Sequence, residues 1–142
     1  MKLLNFTISK DNIGFEQEDN YFDLHNNFSF GGFNYDVLNR VAVFHWAKGS
    51  GDWIPENSPD QIHLLVNDVV FLKMKERDSE MPFTEDDCLD VIGFIWNNMK
   101  DDMESYHSHE PEDNCTHLFL RFMSEMAVKL EGGSASIKVF GV

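Results

Sequence analysis

Apolar and polar residues alternate along most of the carboxyl-terminal third of the chain. An alternation with a period of two indicates strands that bury one face. Leu118, Leu120 and Phe122 point one way. His117, Phe119 and Arg121 point the other. A short turn at Ser124 and Glu125 leads into the next apolar run. The pattern therefore predicts a three-stranded antiparallel meander, with Phe119 on its more polar side.

Gly132 and Gly133 predict a hairpin that links the last two strands of this meander. Both central positions of a type I′ turn need a positive φ, which glycine adopts without strain. The predicted register pairs Leu130 with Ala135, Val128 with Ile137 and Met126 with Val139. We expect Lys129 on the opposite, polar face.

Two further hairpins are predicted earlier in the chain. Asn67 and Asp68 separate residues 61–66 from residues 69–74, which suits a two-residue turn. Residues 36–40 suit a type I turn closed by a left-handed Asn39, with Asp36 facing Arg40 across arms at 28–35 and 40–46. The Gly-Gly pair at 31–32 indicates a bulge, and residues 3–9 predict one more strand.

Three segments depart from the strand pattern. Residues 48–60 are rich in turn formers and predict an exposed loop that carries Trp53. Thr84 followed by acidic residues predicts a short helix near 85–92, although residues 91–96 suit a strand equally well. Residues 97–114 are polar and predict a loop.

Together these elements predict one globular domain over residues 1–142. The expected fold is mainly β, either an antiparallel sandwich or a curled, partly closed sheet built of hairpins. An α+β fold is the alternative if residues 85–100 form one long helix.

Charge narrows the range of partners. The chain has 25 Asp and Glu against 11 Lys and Arg, a formal net charge of −14. Such a charge repels nucleic acid and anionic membranes and steers basic partners toward the protein, although it also simply favours solubility. The candidate partner-binding residues are the acids Glu85, Asp86, Asp87, Asp101 and Asp102 together with Trp53.

The expected compartment is the cytoplasm. Asn5, Thr7 and Ser9 interrupt the apolar run that a signal peptide needs, and no apolar stretch approaches the ~18 residues of a membrane span. Cys88 and Cys115 are too few for a disulfide framework and are expected to be reduced thiols.

One segment concentrates groups that bind metals: His107, His109, Cys115 and His117. Imidazole and thiolate are suitable ligands for tetrahedral zinc, with Glu110, Glu112 and Asp113 nearby to orient them. The spacing corresponds to no strong zinc motif, so the alternative is ordinary surface histidines beside a buried cysteine.

A pocket of His25, His45, Trp46 and Trp53 is a further possibility, and core and rim aromatics are its alternative. The sequence has no glycine-rich phosphate loop, no Gly-x-Ser-x-Gly, no Cys-x-x-Cys and no His-Glu-x-x-His. We therefore expect a protein that is not an enzyme.

Residues 77–89 and the carboxyl-terminal meander resemble parts of small acidic bacterial proteins that have no assigned function. In size and acidity the chain also resembles the immunity proteins that neutralise bacterial toxins. This resemblance implies a binding protein whose acidic surface docks a basic partner such as a nuclease toxin, since complementary charge speeds encounter. One alternative is a small-molecule- or metal-binding domain, either a binding module or an enzyme. Another is a homodimer whose interface uses Phe119 and Trp53.

Overall fold

Antiparallel strands are the main regular elements of the structure, a computed structural model that describes residues 1–141. The strands are β1 Lys2–Leu3, β2 Thr7–Ile8, β3 Gly14–Gln17, β4 Asn20–Asp23, β5 Phe28–Asp36, β6 Val41–Lys48, β7 Gln61–Asn67, β8 Phe71–Lys75, β9 Leu89–Ile95, β10 His117–Phe122, β11 Ala127–Glu131 and β12 Ser134–Phe140. A 3₁₀ turn at Phe83–Asp87 precedes β9. No helix within residues 1–141 is long and apolar enough to cross a bilayer.

The strands form three sheets. A front sheet has the order β1-β12-β7-β6-β5, a back sheet has the order β8-β11-β10-β9, and a small sheet has the order β2-β3-β4. All pairs are antiparallel except β1 with β12. The predicted β fold is confirmed, and no sheet closes into a barrel among the described strands.

The core lies between the inner faces of the front and back sheets. Phe30 of the front sheet stacks on Phe122 of the back sheet, with ring centroids 4.3 Å apart. The small sheet contributes Phe15, which meets Trp46 edge to face at 5.9 Å. Aromatic pairs at these distances add to the free energy gained from burying their area. One continuous core therefore includes residues of all three sheets.

The predicted hairpin at Gly132-Gly133 is wrong. β11 pairs with β8 and β10 in the back sheet, whereas β12 pairs with β7 and β1 in the front sheet. Neither glycine has a positive φ. The hairpin predicted at Asn67-Asp68 is wrong for the same reason, because β7 and β8 belong to different sheets.

Both segments are instead crossovers between the two layers, and they run side by side. Gly133 donates its backbone N–H to the carbonyl of Asn67 at 2.9 Å, and Val70 donates to the carbonyl of Glu131 at 2.9 Å. The same turn-forming residues suit a two-residue hairpin turn and a crossover of this length. The local sequence pattern therefore does not distinguish a hairpin from a crossover.

The hairpin of β5 and β6 is confirmed, with differences in its turn. Arg40, not Asn39, has the positive φ of 54°. Asp36 pairs with Val41 and accepts hydrogen bonds from the backbone and side chain of Asn39. The register shifts between Phe30 and Gly32, which confirms the predicted bulge.

The outer face of the back sheet is covered, which the alternation alone does not predict. Residues 97–114, which we call the acidic loop, are mostly irregular and pack Met103 against Phe119. Both Phe119 and Lys129 are fully buried, so the expectation that they lie on an exposed polar face is wrong.

The short helix predicted near 85–92 is also smaller than expected. It is the 3₁₀ turn at Phe83–Asp87, with Pro82 in place of Thr84 at its start and no side-chain cap. Leu89–Ile95 is a strand, which excludes the α+β alternative of a long helix over 85–100.

Candidate functional site

Trp53 is a large, exposed aromatic side chain in the loop between β6 and β7. Its side chain is 71% exposed, and its Nε1 donates to the carbonyl of Asn26 at 3.2 Å. The indole lies against Gly51, where a Cβ atom would come within 2.3 Å of the ring. The absence of a side chain at Gly51 therefore permits this position of the indole.

Trp53 lines a small cleft with residues of the 3₁₀ turn. The cleft has a volume of about 200 Å³. The residues that line it come from three segments: His25, Asn26, Phe28 and Ser29; Gly49, Ser50, Gly51, Trp53 and Ile54; and Asp87 and Cys88. The predicted partner-binding residues Trp53 and Asp87 thus lie at one cleft.

Negative charge surrounds the thiol of Cys88 in this cleft. Burial raises the pKa of Cys88, and the carboxylates of Glu85, Asp87, Asp90 and Asp23 raise it further. Its Sγ lies 3.6 Å from Nδ1 of His25. The thiol therefore remains protonated at neutral pH, which disfavours a nucleophilic role.

The acidic residues of the 3₁₀ turn differ in their pairing. Arg77 pairs with Asp86 at 2.9 Å. Burial opposes ionisation of Asp86, but hydrogen bonds from Ser124 and Arg77 and the charge of Arg77 lower its pKa overall. Within residues 1–141, Glu85 and Asp87 form no salt bridge. We call Trp53, Glu85 and Asp87 the Trp53 patch.

Asp101 and Asp102 belong to a different surface. They line a groove with Lys73 and Lys75 beside the edge strand β8. Asp101 pairs with Lys73 at 2.9 Å, and this hydrogen bond and charge lower the pKa of Asp101. Asp102 instead accepts backbone hydrogen bonds from Glu104 and Ser105. Both carboxylates therefore already interact with groups of the chain itself.

The four predicted zinc ligands do not converge. His107 lies 3.4 Å from Glu112, and His109 lies 3.3 Å from Glu110. Cys115 is buried in the core. No three His, Cys, Asp or Glu side chains of residues 1–141 are grouped as a metal site requires.

His117 is buried at the start of β10. Its Nε2 contacts Glu131 at 3.1 Å, and its ring stacks on Phe71 at 4.8 Å. Its Nδ1 has no partner. Burial lowers the pKa of His117, and Glu131 offsets this effect only in part.

The residues of the predicted aromatic and histidine pocket lie in three separate places. His25 and Trp53 share the cleft, Trp46 lies in the core, and His45 lies on the outer face of the front sheet beside His63. Sequence reasoning missed Cys88 as a cleft residue, although the acidic run on either side of it was visible.

Comparison with known proteins adds no assignment: no family model, curated protein or solved structure matches this chain.

Proposed function

We propose that this chain is a non-enzymatic binding protein that docks a basic protein, in the manner of a toxin immunity protein. The observation that carries the proposal is the Trp53 patch, in which a largely exposed indole shares a cleft with Asp87. Glu85 acts on Cys88 of the same cleft, and neither carboxylate forms a salt bridge within residues 1–141. Tryptophan is among the residue types that most often dominate the binding energy of protein interfaces.

The chemistry of the patch favours a cationic side chain. An indole face attracts lysine or arginine through its π electrons, and carboxylates such as Asp87 attract the same cation. The cleft volume of about 200 Å³ is below the ~300–1,000 Å³ of common ligand pockets, so it suits one inserted side chain better than a free ligand.

The net charge supports the same class of partner. A charge of −14 accelerates association with a basic protein and weakens it steeply as salt is added. A nuclease toxin fits this requirement because the face that binds its substrate must be basic.

The test compares protein captured from the source organism by three baits. The wild-type chain is the first bait, and the triple variant Trp53→Ser, Glu85→Gln, Asp87→Asn is the second. The control bait is Glu18→Gln, Asp19→Asn, in which two carboxylates of the small sheet's β3–β4 turn are neutralised. Captured proteins are identified, produced separately and titrated at several salt concentrations.

We expect the wild-type and control baits to capture a basic protein. The Kd of this protein for the triple variant should be at least tenfold higher than for the wild-type chain. Equal affinity for all three baits, or a partner that is neutral or acidic, would contradict the proposal.

A further inference from the structure

Carboxylates are nearly absent from the front sheet. The chain has 25 acidic residues, yet the five strands of this sheet contain one, Asp36, at the end of β5. The same strands contain Lys2, Lys48 and Lys138. The acidic charge is therefore concentrated on the rest of the molecule.

The outer face of this sheet is largely apolar or uncharged. The strand register places Val43, Leu65 and Ser136 in one row, and His45, His63 and Lys138 in the next. Buried residues alternate with these along β6 and β7, so the rows face away from the core. The ring of His63 lies 4.7 Å from Phe140, which is 43% exposed.

The face is large enough for a stable interface. The four long strands have seven to nine residues each, and β1 has two. At ~4.8 Å between strands and ~3.3 Å per residue, the sheet covers roughly 520 Å² per copy, or roughly 1,050 Å² in a face-to-face pair. Biological interfaces generally exceed ~1,000 Å² in total.

We propose that this face packs against the same face of a second copy of the chain. Two molecules that each carry a charge of −14 repel one another wherever their carboxylates meet. The strands of the front sheet carry no carboxylate except Asp36 at one corner. The repulsion between two copies is therefore weakest when their front sheets make contact. Sheets stack ~10 Å apart in this way in β-sandwiches.

The imidazole of His63 at the centre of the face makes association sensitive to acid. His45 on β6 and His63 on β7 are flanked by Lys138 on β12, with Lys2 on β1 and Asp36 on β5 farther out. Burial, His45 and Lys138 lower the pKa of His63, so its imidazole is neutral at pH 7.5. As the pH falls through this lowered pKa, protonation of His63 places a positive charge on each side of the interface.

Sedimentation equilibrium of the full chain at 1–200 µM and pH 7.5 tests the proposal. The variants are Leu65→Glu and Ser136→Glu, which place a carboxylate in the central row from two neighbouring strands. Because Ser136 lies outside the apolar core, its variant keeps the test valid if Leu65→Glu fails to fold. The matched control is Leu38→Glu, in the turn between β5 and β6, where the side chain is 94% exposed.

We expect dimers for the wild-type chain and Leu38→Glu, and at least a tenfold increase in the dimer dissociation constant for Ser136→Glu. At pH 5.8 the wild-type dimer weakens, whereas the variant His63→Gln retains its affinity. A monomeric wild-type chain at 200 µM, or equal dimerisation of Ser136→Glu and Leu38→Glu, would overturn the proposal. Stronger association of the wild-type chain at pH 5.8 would overturn it too, since it would reflect only the loss of net negative charge.

Discussion

The ammonium group of Lys129 on β11 donates a hydrogen bond to the backbone carbonyl of Met99 at 2.6 Å. It also donates to the carbonyl of Asp102. Lys129 is fully buried because the acidic loop covers the outer face of the back sheet. One side chain thus joins the loop to the sheet, and burial lowers the pKa of its ammonium group.

Replacing Lys129 with Met removes both hydrogen bonds and leaves two loop carbonyls without their donor. We expect the free energy of unfolding to fall by about 1–3 kcal/mol, the usual range for buried polar groups left unpaired. Amide exchange should accelerate within residues 97–114 and stay slow in β6 and β7. Urea denaturation and hydrogen exchange measure the two effects. The exposed Lys10→Met is the control, and a loss as large in it would contradict the assignment.

Protonation of His117 should destabilise the fold. Its folded pKa lies below the ordinary value of 6.5, so the unfolded chain takes up a proton first as the pH falls. The stability associated with the neutral ring is therefore present above pH 6.5 and is lost below it. Urea midpoints at pH 7.5 and 5.5 should differ less for His117→Phe than for the wild type. The variant His109→Gln, in which a partly exposed ring is replaced, should behave as wild type.

The crossover at Gly132 should not accept a side chain. A Cβ atom there would lie 2.5 Å from the carbonyl oxygen of Asn67 and 2.7 Å from a methyl group of Val66. We expect Gly132→Ala to cost about 1–3 kcal/mol, as overpacking of a filled interior does. Gly133→Ala has more room, with its nearest atom at 3.2 Å on the Asp68 side chain, and should cost less. Equal costs in thermal or urea unfolding would count against this arrangement.

Phe119 and Trp53 should respond to substitution in opposite ways. Phe119 is fully buried against Val91, Ile95 and Met103, so Phe119→Ala should destabilise the fold by about 3–5 kcal/mol. Trp53 is mostly exposed, so Trp53→Ser should change stability by less than about 1 kcal/mol. Denaturant unfolding compares them directly. A large loss in Trp53→Ser would show that the indole supports the fold, which would weaken its role in binding.

The histidine segment should hold no stoichiometric zinc in this arrangement. His107 and His109 each face a different glutamate, and Cys115 is enclosed in the core. Elemental analysis of protein purified without chelator, with His107→Ala as the matched variant, measures this. One equivalent of zinc in the wild type that is lost in the variant would establish the site.

Sequence alone was sufficient for the β class of the fold and for several local features. The bulge at Gly31-Gly32, the hairpin of β5 and β6 and the turn at Ser124-Glu125 follow from short-range backbone preferences. Alternation also identified the inward faces of β10 and β11 correctly, since their predicted inward residues join the main core whereas Phe119 and Ala127 join a separate cluster. These features depend on residues that are close in the chain, which is why a pattern reveals them.

Tertiary structure alone decided which strands share a sheet and which polar faces are covered. The chain crosses between sheets at Asn67 and Gly132, where the turn residues suit a hairpin equally well. Lys129 and Phe119 are buried because the acidic loop folds back over the outer face of the back sheet, and Trp53 and Asp87 line one cleft only in the folded chain. Such contacts depend on how separate segments of the chain pack together. An alternating pattern distinguishes the two faces of a strand, but it does not indicate which segment covers each face.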